Sequence, residues 1–185
     1  MKRVLLVLLA CVLAGCTNIT SGLPDLGQVP AFTLTTQSGE SFSSEELRGR
    51  VWVTDFFFTL CNGPCPRMSV QMRKLQDAVS DLDDVRLVSI TIDPANDTPE
   101  ALAAYARRYK ANPERWWFLT GPADEIRKIS YDAFHLSDVG GALEHSSRFA
   151  LVDRKGRIRG YYETTDANAL QQLVEDIKKV RKEIL

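Results

Sequence analysis

Residues 51–58 and 85–92 are two nearly continuous apolar runs, Val51-Trp52-Val53-Thr54-Asp55-Phe56-Phe57-Phe58 and Val85-Arg86-Leu87-Val88-Ser89-Ile90-Thr91-Ile92. Runs of this length, rich in β-branched and aromatic residues, predict strands buried on both faces of a sheet. Between them the period changes. Met68, Met72, Leu75 and Val79 recur at helical spacing, and Pro64 and Pro66 suit a first turn, where the N–H that proline lacks has no helical partner anyway. A second helix is expected to start at Asp97-Thr98-Pro99-Glu100, with Leu102, Tyr105, Ala106 and Tyr109 along one face. Trp116-Trp117-Phe118-Leu119 predicts a short strand, residues 122–129 a further helix, and residues 149–162 a hairpin turned at Asp153-Arg154-Lys155-Gly156. Leu170, Leu173, Ile177 and Val180 give a closing helix over residues 166–180 its inward face. Near the start, residues 29–42 read as a hairpin around Ser38-Gly39, followed by a short capped helix over residues 43–47 that ends at Gly49. The order predicts an α/β fold, a central mixed β-sheet flanked by helices, with an N-terminal hairpin.

The first residues do not belong to that pattern. Lys2-Arg3, an apolar stretch over residues 4–13 and the small residues Ala14-Gly15 read as a secretory signal peptide, too short for a spanning helix. Leu13-Ala14-Gly15-Cys16 looks like a bacterial lipobox, with cleavage before Cys16 and lipid on that cysteine. The expected organisation is therefore a signal peptide over 1–15, a lipidated N-terminus and polar tether over 16–28, and one domain over 29–185. Such a chain is exported and anchored to a membrane, facing the periplasm or the cell exterior. Removing Lys2 and Arg3 moves the formal charge from −1 to −3, and no basic stripe appears, so nucleic acid is not implied.

Processing also settles the cysteines. Of the four, Cys11 leaves with the signal peptide and Cys16 takes lipid, so Cys61 and Cys65 remain as thiols in an oxidising compartment. The loop they would close is tiny, so a disulfide there removes little entropy from the unfolded chain and chemistry is the stronger reading. An apolar strand ending in a cysteine-containing turn that opens a helix is where thioredoxin-like proteins place their chemistry. Here three residues separate the cysteines rather than two. On a helical turn, positions i and i+4 put both sulfurs on one face. Such a pair can form a disulfide or hold one soft metal ion from a single side. A helix N-terminus is also expected to lower the pKa of one or both thiols.

Several motifs together resemble the Sco (SenC/PrrC) copper-chaperone family. They are Phe57-Phe58-Thr59-Leu60-Cys61 with Cys65-Pro66, Ser89-Ile90-Thr91-Ile92-Asp93-Pro94 with Asp97-Thr98-Pro99, Trp116 with Leu119-Thr120-Gly121, and His145-Ser146-Ser147 ahead of Leu151-Val152-Asp153 and Gly156. They span nearly the whole mature domain in order. The resemblance implies a thioredoxin-like fold and a membrane-tethered protein that binds copper, as Cu(I) or Cu(II), through Cys61, Cys65 and His145. It further implies delivery to the CuA-bearing subunit of cytochrome c oxidase or another apo-cuproprotein, by a monomer that is a transfer protein rather than a turnover enzyme. Asn62, Gly63 and Pro64 stand between the cysteines where the family commonly has a Pro-Asp-containing loop, so a carboxylate is missing but the spacing is kept.

Two thiolates and an imidazole suit copper, whereas a closed zinc site would need a fourth protein ligand. His135 reads as a surface histidine, Met68 and Met72 as core filling, and Asp93 as a turn residue near the cysteines. The alternative function is a thiol–disulfide oxidoreductase or redox sensor that uses Cys61 and Cys65 as a redox disulfide and keeps cuproprotein cysteines reduced. Thioredoxin-like reductases carry a cis-proline before the later hairpin strand, and here that stretch reads Glu144-His145-Ser146-Ser147-Arg148, which favours metal.

Overall fold

A computed structural model of the chain describes residues 21–136 and 147–183. The expected signal peptide, Cys16 and His145 lie outside the described residues. Strands β1 (Thr33–Thr36), β2 (Ser41–Ser43), β3 (Val51–Phe57), β4 (Val85–Thr91), β5 (Trp116–Thr120), β6 (Arg148–Val152) and β7 (Ile158–Glu163) form one sheet in the order β2-β1-β5-β4-β3-β6-β7. β3, β4 and β5 run parallel, while β1 on one side and β6 with β7 on the other are antiparallel. The mixed sheet expected from the alternation of periods is the one observed.

Every residue of β3 is buried, as its unbroken apolar run requires, because both faces of the sheet are covered. Helices α1 (Cys65–Ala78), α2 (Pro99–Arg108) and α4 (Ala169–Val180) contribute to the core cluster on one face. Met68, Met72 and Leu75 have no solvent exposure there, so the methionines fill the core as read from their spacing. Truncating either to alanine would open a cavity costing about 2–5 kcal/mol. The opposite face packs Trp52 and Phe56 against Phe32, Phe42, Ile126 and Phe134.

Local chemistry explains most boundaries. Thr98 caps α2 by accepting from the Ala101 N–H at 3.3 Å, and Pro99 opens the helix. Ser43 and Glu46 form a capping box around a single 3-10 turn at Ser44–Leu47, where a short capped helix was expected. The helix expected over residues 122–129 is a five-residue α3 (Ala123–Arg127) running into a π-helical turn at Lys128–Ala133, and Phe134 and Leu136 just beyond it are both buried.

The N-terminal segment differs from expectation. Residues 21–28, read as part of a flexible tether, lie against the domain. The Leu26 N–H donates to Ile158 O at 2.9 Å, and the Ile158 N–H donates to Gly27 O at 2.8 Å. Arg159 donates to the carbonyls of Leu23 and Pro24, and Asp25 pairs with Arg157. The buried Arg159 guanidinium also joins Asp153 and Glu183, and Glu183 accepts from the Ser21 N–H at 2.8 Å. This clasp sits beside Val152, which pairs with Trp52 near the start of β3. The cysteine turn follows the other end of that strand.

Candidate metal and thiol site

The site forms where the parallel strands end, the usual place for chemistry in open α/β sheets. β3 stops at Phe57, the chain turns through Thr59-Leu60, and the Cys61 N–H donates to Phe58 O at 3.3 Å. Cys65 is the first residue of α1, so Cys61 precedes the helix rather than sharing its face. The two thiols are nonetheless neighbours, close enough for Cys61 to bear on the ionisation of Cys65. Both thiols are free and both are buried, with 7% and 2% exposure, although Leu60 beside them is 66% exposed. The Gly63 N–H donates to Cys61 Sγ at 3.4 Å. The turn therefore lies at the surface and carries its sulfurs inward.

The acidity expected from the helix terminus is not found at Cys65. Burial pushes this thiol well above its usual range, the neighbouring Cys61 sulfur raises it further, and the Asp55 charge adds to the effect. A helix dipole is worth at most about 2 kcal/mol in favourable, partly buried geometries, less than desolvating a thiolate costs here. At Cys65 burial therefore outweighs the helix terminus and favours the protonated thiol.

Two carboxyls beneath the turn were not read as site residues. Asp55 is the one charge in an otherwise apolar run, and at mid-strand it faces the same side as Val53 and Phe57, the side that carries Cys65. Ser89, opposite it on β4, donates to its carboxyl at 2.6 Å, and the Trp116 indole donates to Ser89 Oγ at 2.9 Å. Burial raises the Asp55 pKa to about 7, against the lowering effect of the Ser89 bond. The signal in the sequence was the charge itself, since an acid is seldom placed in a strand buried on both faces.

Asp97 was read only as part of a helix start. It is fully buried and reaches across to the cysteine turn, accepting from the Thr59 N–H at 3.1 and 3.2 Å to its two oxygens, from the Thr59 hydroxyl and from the Thr91 hydroxyl. Asp93, the acid expected near the cysteines, instead accepts from the Asn96 amide at 2.8 Å within its own turn. His135 is exposed at the end of the π turn, in a left-handed conformation with φ 52°. Among the described residues no group of three or more Cys, His, Asp or Glu side chains is arranged to hold a metal.

The SCO1/SenC family model matches residues 24–182. The chain belongs to the SCO1/SenC family. A SCO1/SenC family lipoprotein from Bacillus anthracis str. Ames has a crystal structure that matches with a TM-score of 0.77 at 32% identity, over 85% of this chain and 98% of that one. BsSco, a member of the Sco family of cytochrome c oxidase assembly proteins in which a disulfide switch was identified, matches with a TM-score of 0.77 at 32% identity, over 86% and 96%. Bradyrhizobium japonicum ScoI with copper bound shares the fold, with a TM-score of 0.68 at 23% identity over 83% and 99%. The thioredoxin-like fold expected from the cysteine turn is the fold this chain shares with its Sco relatives.

Proposed function

We propose that this chain is a membrane-tethered metallochaperone that carries copper to the CuA-bearing subunit of cytochrome c oxidase or to another apo-cuproprotein. The observation that carries this reading is the pair of free, buried cysteines, Cys61 and Cys65, in one turn at the end of the parallel strands in a Sco fold. Soft thiolates select Cu(I), and an imidazole added to them suits either oxidation state. His145 would complete the set, with copper as the cargo passed on rather than a resident cofactor. A lipid on Cys16 would hold the domain at the membrane, and no helix among the described residues is long and apolar enough to cross one.

The test is anaerobic titration of the reduced mature domain with copper, read by metal counting and optical spectrum. One copper per chain is expected. Stoichiometric binding that survives Cys61→Ser and Cys65→Ser together would sink the proposal.

A second reading is favoured by one observation, the buried Asp55 with its raised pKa on the face that carries Cys65. A group poised near neutrality beside a dithiol suits thiol–disulfide exchange, in which Cys61 and Cys65 act as a redox disulfide on cuproprotein cysteines. Turnover of a peptide disulfide by metal-free protein distinguishes it.

A further inference from the structure

Three hydrogen-bond donors converge on one fully buried carboxylate at the root of the cysteine turn. Asp97 lies between the end of β4 and the cap of α2, and its own backbone is held there. Its N–H donates to Asp93 O at 2.9 Å, and the next residue, Thr98, caps the helix. From this fixed point the side chain receives the Thr91 hydroxyl, the Thr59 hydroxyl and the Thr59 N–H. Thr91 is the last residue of β4 and has no exposure, and its oxygen also accepts from the Asp93 N–H at 3.0 Å. Thr59 is different in kind. It stands two residues before Cys61, where the chain has left β3 and makes no further ladder bond. Both of its donors close on Asp97.

We propose that Asp97 is the positioning residue of the thiol site, a clasp that acts through Thr59 to fix Cys61 beside Cys65 in the reduced, metal-ready arrangement. This rests on the proposed role of the two cysteines. The chemistry of the donors explains why the residue is an acid. A carboxylate offers acceptors only, and all three groups facing it donate; an amide in its place would turn an N–H₂ toward one of them. Leaving a buried donor unpaired costs more than a typical bond contributes, so the clasp is expected to open only with difficulty. Leu60, between clasp and cysteine, is the most exposed large apolar residue described, so its own side chain adds little packing to the turn.

Two isosteric substitutions separate positioning from stability. Thr59→Val and Thr91→Val each remove one hydroxyl from the same carboxylate, but only the first loosens the segment that carries Cys61. Two readouts are taken on each variant. One is the equilibrium with glutathione, in which the Cys61–Cys65 disulfide takes up two electrons and two protons as two GSH become GSSG. The other is Cu(I) affinity against a competing chelator. Thr59→Val is expected to shift the glutathione equilibrium about tenfold toward the disulfide, ~30 mV for this two-electron couple, and to weaken copper about tenfold. Thr91→Val is expected to lower thermal stability by a similar amount while leaving both readouts within twofold of wild type, and Thr59→Ser is expected to restore them. Equal effects from the two valines, or none from either, would overturn the proposal. Should Thr59→Val not fold, Asp97→Asn is measured against Thr91→Val on the same readouts and with the same reversal. If copper binds nowhere near the cysteines but the glutathione shift remains, the metallochaperone reading fails and the clasp stands.

Discussion

Asp55 and Ser89 face each other across two parallel strands, and the hydroxyl of one donates to the carboxyl of the other at 2.6 Å with both side chains buried. Ser89 in turn accepts from Trp116, so a polar line crosses three strands under the cysteine turn. No cation is among the groups that set the Asp55 pKa, and the carboxyl therefore favours its neutral form.

The consequence for pH has a definite sign. The unfolded chain releases the Asp55 proton near 3.8, whereas the native chain holds it to about 7. Between these values the native state binds more protons, so this group lowers stability as pH rises, and the loss is complete above 7. Asp55→Asn should leave stability nearly unchanged near pH 3.5 and raise it at pH 8 by roughly 4 kcal/mol, from about 1.4 kcal/mol for each pH unit between 3.8 and about 7. Urea unfolding at the two pH values checks this. The same variant should let an alkylating reagent reach Cys65 as thiolate at lower pH, because a negative charge that opposes its ionisation is gone.

Copper binding should need both cysteines in the reduced state. Cys61→Ser or Cys65→Ser should cost at least a hundredfold in affinity. His145→Ala should weaken binding, while His135→Ala leaves it intact. The opposite outcome for the two histidines would reassign the ligand. Affinity should rise with pH, since Cys65 holds its proton tightly and must release it to bind metal. Reduced protein should melt higher with copper and oxidised protein should not, as a ligand that binds only the native dithiol requires.

Glu183 gives a prediction at the acid end. Arg159 donates to it and holds its carboxyl down at about 2, against a usual 4.5. The stability from this pairing is fully present above pH 4.5 and is lost as pH falls through 2. Glu183→Gln should destabilise the domain at pH 7, by less than the roughly 3 kcal/mol of the full shift because solvent screens the pair, and should flatten the acid limb of its stability–pH profile. An unchanged acid limb would mean that another carboxylate governs it.

Membrane attachment is tested by fractionation. Wild-type protein should sediment with membranes, and Cys16→Ser should be unprocessed or released. At native expression in copper-limited culture the variant should also lower the CuA content of the oxidase. Full CuA content from a soluble, signal-swapped version at equal abundance would count against any benefit of local concentration.

Much of this was readable from periodicity. The unbroken run of β3, the helical spacing of Met68, Met72 and Leu75, and the capped start at Thr98-Pro99 each report local burial, and each element formed as expected. What escaped was relational. Asp97 looks like a helix-start residue in sequence, and only the folding of β4 beside β3 brings it to Thr59, 38 positions away. Asp55 was visible as a charge in an apolar strand, but its partnership with Ser89 depends on strand register. The acidity of Cys65 was misjudged because a helix terminus is a local signal and burial is not. Gln28 and its neighbours look like linker because polar residues predominate there, yet Arg157 and Arg159 supply the partners that bind them to the domain.

That binding changes how the domain would stand on its anchor. With residues 21–28 fastened beside the start of β3, a lipid on Cys16 would be joined to the folded body through only the four residues 17–20. Residues 21–28 enter the domain at the end of β3 opposite the thiols. The seven residues of β3, at about 3.3 Å each, then lift the cysteine turn ~23 Å further from the exit point. The domain would work as a post rather than a tethered ball, with its sulfurs held up and away from the lipid. A client that docks on such a post meets it at the height of a small domain above the bilayer, not at the headgroups.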